Sequence, residues 1–407
     1  MILRFLGTQW LAAGFVGLVS LGLSILVART LGPELFGVYG IAISAGALLA
    51  MVMDGGFNKL IQRERARATP SLAPVLPILP GLALGHAIRA MLLMSVLAVL
   101  FFPKHSLTTV AALLFFGATV LNQFGLAILR GDGRLVRDAG WQVGNRTFTA
   151  LCVALALFLG ASQPWQVLAA QFMGAAAFGF LVARSLHIWP LFRISPAVYR
   201  AVLPFLWLDF VSVLYFRADM LIFQFLGLPK LEVGQYGVAN RLLEAVLLLA
   251  SPVGLILFRR YRQDSAQASQ MIKGMWPAFV VAACLGLGAA LFFWVFGHDL
   301  IALAYGSAYQ GAGQFLMVLG CGLIFMLPNG VLGQATLALG LERWFALSAT
   351  IAAAANIGGN LWLVPIDGAL AAAWVTVLTE ALLGVCLVLG ILWRCRKPAA
   401  DITKASF

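Results

Sequence analysis

Long apolar runs, broken by short stretches of charge, proline and glycine, follow one another along the whole chain. Each run is close to the roughly 20 residues that an α-helix needs to cross the hydrocarbon core of a bilayer. The pattern therefore predicts an all-α polytopic membrane protein with about 12 transmembrane helices. The predicted spans lie near 8–28, 35–56, 75–102, 107–129, 139–160, 165–185, 201–226, 234–258, 276–296, 313–337, 345–364 and 368–393.

Composition excludes a soluble globular protein. Of the 407 residues, 62% are hydrophobic and 10% are charged, and the mean hydropathy is +0.96. Soluble domains average about 45–50% apolar and about 25% charged residues. The net charge of +12 does not indicate nucleic-acid binding here, because basic residues of membrane proteins concentrate in cytoplasmic loops. The predicted partners are the lipid bilayer and a ligand within it, and no nucleic acid.

Lysine and arginine are distributed unevenly between alternate loops of the predicted topology. Twenty of them fall on one side of the spans, whereas only Arg29, Lys104 and Lys230 fall on the other. The positive-inside rule assigns the basic side to the cytoplasm. Both termini are therefore predicted to be cytoplasmic.

An internal repeat divides the chain. LGPELFGVYGIA (31–42) recurs as LGLPKLEVGQYGVA (226–239), and four identical residues of the two copies are each 197 positions apart. An even number of spans separates the copies, so the repeat is parallel and favours two pseudo-symmetric six-helix lobes around a central cavity. The alternative is a common turn-to-helix signature that recurs by chance. The predicted parts are an N-terminal lobe (1–190), a cytoplasmic linker (191–200), and a C-terminal lobe with a short basic tail (201–407).

Charged residues inside the spans are the candidates for function, because an ionised side chain at the bilayer centre costs at least about 2.5–3.5 kcal/mol. Arg89 lies near the middle of the third span, and Arg146 lies about 10 Å from the cytoplasmic end of the fifth. The sequence offers neither of them an acidic residue at the same depth. An anionic ligand is the simplest missing partner, and the planar fork of arginine suits phosphate and pyrophosphate. For Arg146 the alternative is snorkelling to the interface.

The seventh and eighth spans carry charges of both signs. Asp219 and Arg241 are predicted at one depth, and Arg217 and Glu244 at a second. These residues form either a salt-bridge ladder between the two spans or a cluster that rearranges when a ligand or coupling cation enters. The candidate substrate-binding residues are Arg89, Arg146, Arg217 and Arg241. The candidate ion-coupling residues are Asp209, Asp219, Glu244 and Glu380.

Motifs for catalysis are missing from the sequence. The four histidines are isolated, the five cysteines have no CxxC spacing, and no GxSxG or Walker pattern occurs. We therefore expect no metal, no cofactor and no enzymatic activity.

Several segments are similar to one family. They are ARTLGPELFGVYGIAISAG (28–46), MDGGF (53–57), YFRADMLIFQFLG (215–227), VGQYGVANRLLEA (233–245), GQATLALGLERW (333–344) and NIGGNLWLVPIDGALAAAWVTVLTEAL (356–382). The chain resembles the polysaccharide-biosynthesis branch, the O-antigen (Wzx-type) flippases, of the multidrug/oligosaccharidyl-lipid/polysaccharide (MOP) exporter superfamily. The resemblance implies two lobes that form a V around a cationic cavity in the bacterial inner membrane. Its implied function is to move an undecaprenyl-pyrophosphate-linked oligosaccharide, such as an O-antigen or exopolysaccharide unit, to the periplasmic leaflet. Polysaccharide polymerase and chain-length proteins are further partners implied by the resemblance.

The resemblance carries over to individual residues only in part. In the related lipid II flippases an arginine early in helix 8 contributes to the cavity, and the residue that matches it is Arg241 in VANRLLE. Those relatives also use arginines in helices 1 and 2, for which this chain offers only Arg29 at the outer end of the first span. Lipid II flippases have fourteen spans, which argues against a peptidoglycan precursor as the cargo of this chain.

Two other functions stay open. A cation-coupled multidrug (MATE-like) antiporter of the same superfamily would favour a cavity rich in carboxylates, whereas the first half of this chain carries arginines. A membrane polysaccharide polymerase or ligase would be expected to carry acidic residues in a sizeable outer loop. The predicted outer loops hold only Glu34, Glu232, Asp299 and Asp367.

Overall fold

A computed structural model describes residues 2–67, 72–101, 106–264 and 268–396, and these residues contain helices but no strand. The predicted basic tail beyond Arg396 lies outside the described residues. The helices are α1 (Ile2–Asp54), α2 (Phe57–Ala66), α3 (Leu79–Phe101), α4 (Ser106–Gly131), α5 (Leu135–Phe158), α6 (Pro164–Ser185), α7 (Pro196–Phe225), α8 (Lys230–Asp264), α9 (Ala268–Tyr305), α10 (Ala312–Ala338) and α11 (Glu342–Arg396).

Within the described residues, seven helices are long and apolar enough to cross a membrane, or eight if the bent helix α7 counts as one span. Two of the seven, α1 and α11, have more than twice the length of one crossing. Each is broken by non-helical backbone, α1 at Gly32 and α11 at Asp367 and Gly368. With those two helices divided, and with the more polar α5 and α8 included, the long segments agree with the predicted all-α polytopic fold of about twelve spans.

Helix α2 was not predicted from the sequence. It is short and amphipathic, and Phe57, Leu60, Ile61 and Glu64 are buried on one face. The positions i, i+3, i+4 and i+7 of this face are the spacing of an amphipathic helix. Glu64 is fully buried and binds Arg63 at 2.9 Å. Because the charged Glu64 interrupts the apolar positions of this face, the helix was not recognised in the sequence.

The chain divides into two compact units, Met1–Gly237 and Val238–Phe407. The core of the first unit is formed by the end of α1, by α2, α3 and α4, and by the beginning of α7, with Met53, Phe57 and Phe124 among its buried side chains. The core of the second unit joins α8, α9, α10 and α11 around Met271 and Leu332. The predicted lobes and linker stay a prediction.

Small residues let helices of the first unit approach closely. A Cβ on Gly174 of α6 would lie 2.6 Å from Thr149 Cα of α5, and a Cβ on Gly179 would lie 3.1 Å from Asn122 Oδ1 of α4. The amide of Asn122 in turn donates to Ala175 O at 2.8 Å. Glycine contacts combined with buried amide hydrogen bonds are the usual means of helix association inside a membrane.

Candidate functional site

The two copies of the repeat meet at their glycines. Helix α1 breaks at Gly32, which has a φ of 72°, and Pro33 then begins its second arm. A Cβ on Gly37 would lie 3.0 Å from Gly234 N, and a Cβ on Gly234 would lie 3.1 Å from Gly37 N. The same Cβ atoms would overlap the backbone oxygens of Lys230 and Pro33, respectively, so only glycine permits this approach. We call this pair, Gly37 with Gly234, the glycine contact.

The matched tyrosines of the repeat have different partners. Tyr39 accepts a hydrogen bond from the amide of Gln171 at 2.9 Å. Tyr236 instead donates its hydroxyl to the carboxylate of Asp219 and packs edge-on against Phe223. The second copy of the repeat therefore positions a predicted ion-coupling carboxylate, whereas the first copy engages a neutral amide.

The other end of the second arm of α1 contacts α7. The chain turns at Gly55 and Gly56, which have φ values of 59° and 82°, and Asp54 Oδ2 accepts from Gly56 N at 2.9 Å. A Cβ on Gly56 would lie 2.6 Å from Val202 O. One helical turn further along α2, Lys59 Nζ binds Asp209 Oδ1 at 2.5 Å. We call the pair Lys59 with Asp209 the charged contact.

Asp209 was predicted as an ion-coupling residue, but its partner Lys59 was not predicted. The lysine side chain is 41% exposed and the aspartate 24%. Arg63, four residues after Lys59, lies over the ring of Phe205 with its guanidinium carbon 5.1 Å from the ring centroid. Lys59 and Arg63 of α2 both contact α7. The amphipathic spacing of α2 was the signal in the sequence that could have predicted this helix.

Arg89 holds the segment between α6 and α7. Its Nη1 donates to Phe192 O at 3.0 Å, and its guanidinium carbon lies 5.9 Å from the centroid of the Phe192 ring. This contact uses one of the five N–H donors of the guanidinium. Arg89 therefore has a structural partner that was not predicted from the sequence. Its guanidinium has further N–H donors that can bind an anion.

His86 lies one turn before Arg89 and joins three elements. Its Nε2 lies 2.9 Å from Val52 O, and its Nδ1 lies 3.1 Å from the hydroxyl of Tyr199. A carbonyl oxygen only accepts, so Nε2 carries the proton and Nδ1 accepts from the tyrosine. Phe57 packs edge-on against Tyr199 at 5.8 Å. The histidine is thus part of the packing among α1, α3 and α7.

The other predicted arginines are half-buried within their helices. Arg146 lies on α5 and Arg217 on α7. Arg241 Nη1 binds Glu244 Oε2 at 2.8 Å on the same face of α8, and Glu244 also accepts from the amide of Asn240. The predicted ladder between the seventh and eighth spans stays a prediction.

Glu380 has a buried amide partner. Asn329 of α10 donates to Glu380 Oε2 at 2.9 Å and to Glu380 O at 2.8 Å. Both side chains are buried. The four predicted ion-coupling carboxylates therefore each have a partner within the described residues: Asp209 has Lys59, Asp219 has Tyr236, Glu244 has Arg241 and Glu380 has Asn329.

Solved structures with this fold are membrane transporters. A multidrug resistance MATE family transporter of the MOP superfamily, in an inward-facing conformation, matches with a TM-score of 0.71 and 15% identity over 93% of each chain. The lipid II flippase MurJ, in an inward closed conformation, matches with a TM-score of 0.75 and 14% identity over 95% of this chain and 89% of its own. A MOP superfamily transporter from Pyrococcus furiosus Vc1 (DSM3638) matches with a TM-score of 0.58 and 15% identity over 96% and 94%. The chain therefore shares the fold of these transporters, and its long apolar helices indicate a multi-pass membrane protein.

The family is shown by sequence. Residues 7–258 match the family described as "Polysaccharide biosynthesis protein", which is more than half of the chain. The chain belongs to this family, and the resemblance stated from its motifs is confirmed. A search of curated proteins found no match.

Proposed function

We propose that this protein is a flippase that moves an undecaprenyl-pyrophosphate-linked oligosaccharide from the cytoplasmic to the periplasmic leaflet of a bacterial inner membrane. The observation that carries the proposal is the presence of arginines inside the membrane helices of a chain that belongs to a polysaccharide biosynthesis family. Charged groups at this depth are costly and mark substrate pathways. The similarity of the fold to the lipid II flippase MurJ supports the same class of cargo.

Arg89, Arg146, Arg217 and Arg241 are the proposed contacts of the pyrophosphate. A guanidinium presents paired donors to phosphate oxygens, which a lysine does not. Arg89 serves two purposes in this proposal, because it also fixes Phe192 in the segment before α7. The sugar head crosses the membrane along the pathway that these arginines mark, while the lipid tail stays in the bilayer.

Alternating access is the proposed mechanism. By the distribution of basic residues, the glycine contact faces the periplasm and the charged contact faces the cytoplasm. Each contact would close one end of the pathway, and each must open in turn for the head group to enter and leave. Asp209 and Glu244 are the preferred coupling carboxylates, with Asp219 and Glu380 as further candidates. Protonation of Asp209 would remove the attraction of Lys59 at the cytoplasmic end.

A deletion strain tests the function. Lipid-linked repeat units should accumulate on the cytoplasmic face of the inner membrane, and export should return with the wild-type gene. Accumulation on the periplasmic face would contradict a flippase and favour a polymerase or ligase.

Arg89→Lys tests the proposed binding site. The lysine keeps a positive charge and a donor for Phe192 O but loses the bidentate fork, so export should fall by about tenfold or more, the loss expected for a charge-assisted pair. Membrane insertion and the melting temperature should stay near wild type. Normal export in Arg89→Lys would contradict the proposed role of the arginine.

The second candidate is a cation-coupled multidrug antiporter, which the similarity to the MATE transporter favours. A deletion strain that becomes sensitive to cationic drugs, with normal surface polysaccharide, would support the antiporter. Neither candidate makes or breaks a covalent bond, so we propose a transporter and no enzyme.

A further inference from the structure

A cavity of about 460 Å³ lies in the first compact unit, apart from the proposed substrate pathway. It is formed by the ends of α2 and α4, the beginning of α3, and the segment that connects α6 to α7. These elements belong to the basic side of the predicted topology. The cavity therefore lies at the level where the headgroups of the cytoplasmic leaflet are expected.

Positive charge is in excess in this cavity. Arg65 Nη1 binds both carboxylate oxygens of Asp132, at 2.9 and 3.2 Å, while its buried Nε has no hydrogen-bond partner among the residues that the structure describes. Arg134 also lines the cavity, is exposed, and forms no ion pair with any described residue. His187 contributes a third basic group. Among the described residues that line the cavity, two arginines and a histidine stand against one carboxylate, which favours an anion.

His187 occupies a backbone position that favours glycine. It is the one non-glycine residue with a positive φ, 53°, in the described part of the chain. Its N–H bonds Arg184 O at 3.3 Å and the next N–H, of Ile188, bonds Ala183 O at 2.9 Å. This pattern is the Schellman cap of a helix, whose left-handed position is usually glycine. A strained residue whose side chain lines a cavity points to a role for that side chain.

Apolar side chains line another part of the cavity. Ile78, Ile128 and Trp189 line it, and Trp189 is 67% exposed. Leu191 also lines it, and its N–H donates to Gly81 O at 2.8 Å, which fixes the connecting segment on α3. A free phosphate ion would use only the basic side of such a cavity. A phospholipid would use both sides, the headgroup on the cations and an acyl chain along the apolar wall.

We propose that this cavity binds an anionic phospholipid of the cytoplasmic leaflet through its phosphate. Arg134 and His187 hold the phosphate, Arg65 assists, and Trp189 packs along the lipid. The bound lipid stabilises the segment that connects α6 to α7. Arg89 binds the same segment at Phe192 O. None of the four proposed pyrophosphate contacts lines the cavity, so the proposal does not depend on the chain being a flippase.

Thermal unfolding of the full-length chain in detergent tests the proposal, with phosphatidylglycerol as the probe and phosphatidylcholine as the neutral comparison. Phosphatidylglycerol should raise the melting temperature of the wild type, and phosphatidylcholine should not. The double variant Arg134→Ala/His187→Gly should require about tenfold or more phosphatidylglycerol for the same rise, because two charge-assisted contacts are lost. Its melting temperature without lipid should not fall, because glycine suits a positive φ and Arg134 is exposed.

Two further variants serve as a charge control and as a test of the source of the phosphate. Arg200→Ala removes an equal charge from an exposed position on the same predicted side and should respond to lipid as the wild type does. Trp189→Ala should weaken the response to phosphatidylglycerol and leave any response to inorganic phosphate unchanged. An unchanged lipid response in the double variant, or an equal loss in Arg200→Ala, would overturn the proposal. Equal stabilisation by inorganic phosphate and by phosphatidylglycerol would assign the cavity to a soluble anion and also overturn it.

Discussion

The glycine contact and the charged contact lie at opposite ends of the second arm of α1 and use opposite chemistry. Gly37 and Gly234 meet backbone to backbone, with no charge and no side chain involved. Lys59 and Asp209 meet through a half-exposed ion pair beside a glycine turn. The first contact depends on shape alone, so a single methyl group disturbs it. The second depends on charge, so protonation and salt can modulate it.

The largest expected effect comes from side chains at the glycine contact. Gly37→Val and Gly234→Val each place atoms within about 3 Å of backbone, and such overpacking costs about 1–3 kcal/mol. That cost shifts the balance between closed and open states by a factor of about 5 to 150. Transport of lipid-linked oligosaccharide in proteoliposomes should fall accordingly.

Two matched glycines serve as controls for this prediction. A Cβ on Gly22, in the first arm of α1, meets nothing within 4 Å, and a Cβ on Gly40 meets only Met220 Cε at 3.5 Å. Gly22→Ala and Gly40→Ala should transport at the wild-type rate. Wild-type transport by both Gly37→Val and Gly234→Val would refute the claim that this contact must close.

A smaller effect is expected at the charged contact. Lys59→Ala removes an ion pair that is worth up to about 1 kcal/mol when half-exposed, so transport should change by about fivefold at most. Lys59→Arg keeps the positive charge and should transport near the wild-type rate, because the attraction to Asp209 is kept. If Lys59→Arg is no better than Lys59→Ala, the pair does not act through its charge.

The smallest effect is that of salt. Raising the ionic strength from about 0.1 to 1 M shortens the Debye length from about 10 to 3 Å, which weakens exposed ion pairs. The wild-type transport rate should change by less than about twofold. The change should disappear in Lys59→Ala and persist in Gly40→Ala. If the transport rate of Lys59→Ala responds to salt as strongly as that of the wild type, the salt effect does not arise from the charged contact.

The fold was largely predictable from sequence, because each membrane-spanning helix requires a long apolar run. The repeat contains Gly37 and Gly234 as one of its four identical pairs, but it did not predict that these two glycines contact each other. Helix α2 was missed because it is short and because Glu64, a carboxylate, occupies its buried face. Amphipathic helices at a membrane surface have neither the length nor the hydropathy of a span.

The candidate site was less predictable. The sequence gives the approximate depth of a residue in the membrane, but two residues pair only if they are also close in the plane of the membrane. Arg89 lacked an acid at its depth, and in the structure its partner is a backbone carbonyl, which no side-chain pattern encodes. Asp209 and Lys59 are 150 residues apart in the chain. By contrast, Arg241 and Glu244 pair within α8, because residues three positions apart share one helix face.

Flipping by the purified full-length protein tests the central claim most directly. Proteoliposomes are loaded with undecaprenyl-pyrophosphate-linked oligosaccharide in one leaflet, and the fraction that becomes accessible to an added glycosidase in the other leaflet is followed over time. We predict that wild-type protein makes the oligosaccharide accessible, that Gly22→Ala does so at the same rate, and that Arg89→Lys and Gly234→Val do so more slowly, by about tenfold or more and by a factor of about 5 to 150, respectively. Wild-type vesicles in which the oligosaccharide stays as protected as in protein-free vesicles would contradict the account.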